Sequence, residues 1–88
     1  MRHATPAALD QLEALLRELR RLGLLREKNR GTFYRGASAF LHFHEDPAGL
    51  FADVKLSGAD FTRRRVSTQA ERRALLAAVR RALSAGST

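Results

Sequence analysis

The apolar residues of this chain change period twice, and those switches constrain the fold more than any other feature. Ala8, Leu9, Leu12, Leu15, Leu16, Leu19 and Leu22 recur at three- and four-residue steps, the spacing of one helical stripe. Asp10, Glu13, Arg17, Glu18, Arg20 and Arg21 fill the opposite side. Thr5 suits the N-cap and Pro6 the first helical position, where a missing N–H costs nothing. Gly23 fits the left-handed residue beyond the helix, with Leu24 expected to supply the apolar contact of a Schellman cap. From Thr32 onward the period drops towards two. Strands are expected at 32–35, 38–44, 50–56 and 61–66. Turns at Gly36-Ala37, Asp46-Pro47-Ala48-Gly49 and Ser57-Gly58-Ala59-Asp60 separate them. The helical period returns after Thr68-Gln69-Ala70-Glu71, a capping box. Leu75, Leu76, Val79, Ala82 and Leu83 form its inward stripe, with Arg73, Arg80 and Arg81 outward.

The resulting order, α-β-β-β-β-α with hairpin-length connections, specifies an α+β two-layer sandwich. A four-stranded antiparallel sheet carries two helices on one face. Residues 1–88 make a single domain, with 1–4 and 84–88 expected to fray. A composition 44% hydrophobic and 28% charged is globular rather than disordered. The absence of cysteine excludes disulfides, thiolate metal sites and cysteine nucleophiles. No apolar run reaches the ~20 residues that span a bilayer, and the first twenty residues lack a signal-peptide core. A soluble cytoplasmic protein with no membrane partner and no cofactor is expected.

If 46–49 is a four-residue loop, Glu45 faces Leu50, and Phe43–Ala52, Leu41–Val54 and Ala39–Leu56 form an apolar core face. A slip of one residue would bring His42 or His44 into that face. The opposite face then pairs His44 with Phe51, His42 with Asp53 and Phe40 with Lys55, with Phe33 beside Phe40. Three phenylalanines on an uncovered sheet face make a patch that usually marks an interface or ligand site. For so short a chain, homodimerisation by packing these faces together is the expected use.

Two histidines two apart on a strand project the same way. His42 and His44 could therefore chelate one metal with Asp53 as third ligand. The competing expectation is a cross-strand hydrogen bond from His42 to Asp53 that fixes an imidazole tautomer. No serine or threonine has an evident base partner, so no catalytic residue is assigned, and Glu45-Asp46 are expected to be solvated turn residues.

The net charge of +7 (16 basic against 9 acidic groups) is uneven. Residues 1–60 hold nine basic and eight acidic groups, whereas 61–88 hold seven arginines and only Glu71. Arg63, Arg64, Arg65, Arg73, Arg80 and Arg81, with Arg72, form a candidate nucleic-acid or anion surface, and Phe33, Phe40 and Phe51 could stack bases. The helix order differs from that of the four-stranded RNA-binding module, and no RNP motif is present.

Phe40-Leu41-His42-Phe43-His44, followed by a Pro/Gly turn and an apolar strand, resembles the F-x-H-x-H segment of small bacterial luciferase-type domains. The resemblance covers residues 33–56 and implies a bacterial source. The further histidine of that group has no counterpart, because Ala52 and Asp53 stand where it is expected, so no catalytic residue carries over. The reading as a whole is a non-enzymatic binding or interaction module, homodimeric through Phe33, Phe40, His42, His44, Phe51, Asp53 and Lys55. The alternatives are a nucleic-acid binder and a metal or small-molecule binder at His42, His44 and Asp53.

Overall fold

A computed structural model describes residues 1–85. In chain order these form β1 (Arg2–His3), α1 (Pro6–Gln11), α2 (Glu13–Arg21), β2 (Arg26–Asn29), β3 (Thr32–Arg35), β4 (Ser38–Asp46), β5 (Gly49–Val54), β6 (Thr62–Arg65) and α3 (Gln69–Ala85). The α+β class and the antiparallel sheet agree with the sequence reading, but the sheet has six strands rather than four. Its order is β2-β3-β4-β5-β6, with β1 added to β4. Two strands were not expected. β1 occupies an end expected to fray, and β2 is built from Arg26-Glu27-Lys28-Asn29, which has no apolar alternation to announce it. Of the 84–88 end, Ser84 and Ala85 close α3, and 86–88 lie outside the described residues.

The sequence predicts one continuous first helix between Thr5 and Gly23, but the structure divides it into α1 and α2. Leu12 stands between α1 and α2 with φ −94° and ψ 3°, yet its side chain stays in the core, so the apolar stripe continues across the break. Thr5 caps α1 by accepting from the Ala8 N–H at 3.4 Å. Gly23 takes φ +73° as expected, but Leu24 is 62% exposed and makes no Schellman contact; Leu25 packs against the core instead. The capping box of α3 forms in both directions. Glu71 N–H donates to Thr68 Oγ1 at 3.1 Å, and Thr68 N–H to Glu71 Oε1 at 2.9 Å.

The central hairpin takes the register read from the sequence, with Leu41 opposite Val54, Phe43 opposite Ala52 and Glu45 opposite Leu50. Leu41, Phe43, Ala52 and Val54 join the leucines of α1 and α2 and Leu75, Val79 and Leu83 of α3 in one core, so the helices cover this side. The β3–β4 pairing is different. Phe33 stands opposite Leu41 but Tyr34 opposite Ala39, two steps on β4 for one on β3. Phe40 is thus the extra residue of a bulge, and a bulge resets which face the neighbouring side chains occupy. Phe33 (0% exposed) and Phe40 (3%) are core residues, not members of the open face. The expected Ala39–Leu56 pair is absent, since β5 ends at Val54 and its pairing with β4 stops at Leu41–Val54.

A candidate metal centre on the open sheet face

β4 carries His42 and His44 two residues apart, so both imidazoles leave the strand on the face away from the helices. β1 adds the third. It pairs with the far end of β4, placing Arg2 opposite Glu45 and His3 opposite His44. Its position is fixed by bonds that need no apolar residue. Ala4 N–H donates to the Phe43 carbonyl at 3.1 Å, Thr5 N–H donates to Glu45 Oε1 at 2.5 Å, and Arg2 lies 3.8 Å from the same carboxylate.

All three histidines of the chain therefore meet, one ring nitrogen from each lying within 4.8 Å of the others. His3 stacks on His44 with centroids 4.9 Å apart, and His42 meets His44 edge-on at 4.8 Å. His42 and His44 are half-buried, whereas His3 is exposed. His44 Nε2 lies 2.8 Å from His42 Nδ1 and 3.2 Å from Asp53 Oδ2. A carboxylate only accepts, so the Asp53 contact favours a proton on His44 Nε2, donated to both neighbours. His42 then accepts at Nδ1. Burial, with smaller contributions from His44, His3 and Arg63, holds the His42 pKa below its ordinary 6.5, although Asp53 pulls the other way. Neutral imidazole is the ligating form.

Asp53 was expected as a third ligand but has a different partner. Arg63 clamps both its oxygens, Nε to Oδ1 at 2.8 Å and Nη2 to Oδ2 at 2.9 Å, a bidentate fork. That guanidinium, more than any other group, holds the Asp53 carboxyl below its usual range. Phe61, 42% exposed, packs edge-on against His42 at 4.9 Å, and Lys55 Nζ sits 5.0 Å above the same ring. Phe51 lies beside His44 and under Arg65, 5.7 Å from ring centre to guanidinium carbon.

The structure thus brings together His42, His44, Phe51, Asp53 and Lys55 of the expected face and removes Phe33 and Phe40 to the core. Sequence reasoning missed His3, Phe61 and the tie from Arg63 to Asp53. His3 sits in no periodic segment and reaches the site only by a pairing 41 positions away, His3 with His44. The basic run splits by strand alternation. Arg63 and Arg65 share the open face, where Arg65 also lies 3.6 Å from Glu71, and Arg64 turns to the side of Ala78 and Arg81. Arg72 donates to the Val66 and Ser67 carbonyls, and Arg80 lies 4.0 Å from Glu18. Among the described residues, Arg64, Arg73 and Arg81 have no ion-pair partner. The surface expected to meet an anion is partly consumed inside the molecule, and two of its three candidate stacking rings are buried.

Comparison with protein-family models, curated proteins and solved structures gave no match. No helix among the described residues is long and apolar enough to cross a membrane.

Proposed function

We propose that this chain is a small binding module whose ligand is a divalent transition-metal ion held by His3, His42 and His44. The observation that carries this reading is the convergence of every histidine in the chain, from two strands, within 4.8 Å. Three imidazoles suit zinc, copper or nickel, and the lack of cysteine disfavours the softer thiolate chemistry. Metal–nitrogen bonds of about 2.0–2.1 Å place two tetrahedral ligands about 3.3 Å apart, and two at right angles about 2.9 Å. The His42–His44 separation of 2.8 Å is close to the second spacing and needs about half an ångström of opening for the first. Loading replaces the proton shared by the two rings, and His44 shifts to its Nδ1–H tautomer without change of charge.

With Phe33 and Phe40 in the core, the case for covering this face with a second copy weakens, because the apolar patch behind it is smaller. The metal reading is tested by titrating chelator-stripped protein with Zn(II), Ni(II) and Co(II) by calorimetry. One equivalent is expected, with His3→Ala, His42→Ala and His44→Ala each weakening binding at least tenfold while circular dichroism is unchanged. Uptake that survives the loss of His42 and His44 together overturns the reading.

A further inference from the structure

The loaded centre has a charge imbalance that its own residues do not correct. Three neutral imidazoles leave a divalent ion with its full charge. The one carboxylate beside them, Asp53, has both oxygens held by Arg63 at 2.8 and 2.9 Å and is neutralised before any metal arrives. Further positive charge borders the cluster. Lys55 stands over Phe61, the ring packed on His42. Glu45, the other nearby acid, is turned to the Thr5 N–H and Arg2. The face is uncovered on the side of the exposed His3, and three protein ligands leave at least one coordination position open.

We infer that the centre formed by His3, His42 and His44 takes a small oxyanion, a carboxylate or phosphate-type group, as its exchangeable fourth ligand. This inference rests on the metal reading above. The anion oxygen binds the metal directly, and Lys55 supplies a surrounding field that favours a negative ligand over water. Arg63 contributes differently, by keeping Asp53 off the open position. No covalent step is involved; the site binds and releases.

The test uses the full chain loaded with one equivalent of Co(II), whose visible d–d bands respond to coordination. Acetate and methylphosphonate are titrated at constant ionic strength, with perchlorate as the non-coordinating control. Both probes are expected to shift the bands saturably, and perchlorate is expected not to. Lys55→Met is expected to weaken both at least threefold with cobalt affinity unchanged or improved. Arg63→Met, which frees Asp53 to ligate, is expected to weaken them at least tenfold while tightening cobalt. If Arg63→Met does not fold, Lys55→Met decides the point. Cobalt bound as expected but spectrally indifferent to both probes overturns the inference and leaves the metal reading standing. Equal anion affinity in wild type and Lys55→Met also overturns it. Failure of the protein to take up cobalt overturns the metal reading and this inference with it.

Discussion

Phe40 shows how one residue can move a functional assignment. Strict alternation along β4 puts it beside His42 and His44, but the bulge against β3 turns it into the core. Nothing in the local sequence marks the irregularity. It becomes visible only when Phe33 is seen opposite Leu41 and Tyr34 opposite Ala39. Phe51, which obeys the alternation, stays on the face and packs under Arg65. The two rings therefore differ in what their removal costs. Phe40→Ala is expected to destabilise by about 3–5 kcal/mol, the usual penalty for emptying a buried aromatic site. Phe51→Ala is expected to cost about 1 kcal/mol, chiefly the lost contact with Arg65. Urea denaturation of the two variants measures the difference, and equal losses would place Phe40 outside the core. Gly31 gives a second comparison at this scale. Its φ is +82°, and a Cβ there would lie 2.7 Å from Leu9 Cδ2, whereas Gly23 at φ +73° has open space. Gly23→Ala should cost only the backbone term of about 1 kcal/mol, and Gly31→Ala about 1–2 kcal/mol more. An equal loss at Gly31 and Gly23 would show that Leu9 moves aside freely.

The elements that the sequence disclosed are those whose side chains pack: the leucine stripes, the central hairpin and its register, and the capping box of α3. β2 escaped because its stability comes from charge. Arg20 Nε donates to Glu27 Oε1 at 2.5 Å and its Nη1 to Glu13 Oε2 at 2.8 Å, while Arg30 reaches both Glu13 and Asp10 at 2.9 Å. Glu27 also accepts from the Gly31 N–H at 2.8 Å, closing the β2–β3 turn. The network ties an edge strand to α2, and Asp10, Glu13 and Arg20 read as a solvated helix face when taken one at a time. β1 escaped for a related reason, being held by backbone bonds and Glu45; so the candidate site was legible only in its β4 half. The Arg20 guanidinium holds the Glu27 carboxyl below its ordinary 4.5. A lowered carboxylate stabilises the fold fully above 4.5 and loses that contribution as the pH falls through the folded value. Glu27→Gln is thus expected to cost about 1 kcal/mol at pH 7, modest because Arg20 is partly exposed. The gap should close at pH values well below 4.5, where the wild-type carboxyl is also protonated. Thermal melts of both proteins across that range test it, and a gap that persists in acid would assign the cost to packing rather than charge.

At the scale of the whole molecule, the excess of 16 basic over 9 acidic groups suggests an anion-binding surface, but the fold spends much of it internally. Arg63, Arg65 and Arg80 meet acids and Arg72 meets carbonyls, which leaves Arg64, Arg73 and Arg81 without an ion-pair partner among the described residues, with Arg64 and Arg81 together on the side away from the histidine cluster. That cluster exists only in the folded chain, since it joins β1 to the middle of β4. Metal binding must therefore appear as folding stability. A ligand specific for the native state adds RT ln(1 + [L]/Kd), about 2.7 kcal/mol at a hundredfold excess over Kd. For a domain of this size that corresponds to a rise in Tm of about 10–20 °C. The unfolded chain keeps three histidines that can bind weakly, so the observed rise should fall towards the lower end. His3→Ala separates the terms. His3 is exposed and packs only at the surface, so the metal-free variant should melt within a few degrees of wild type. It should nevertheless lose most of the metal-induced rise, because two histidines on one strand remain a bidentate site in the native and unfolded states alike. An undiminished rise in His3→Ala would mean that β1 contributes no ligand, and that the centre is confined to His42 and His44.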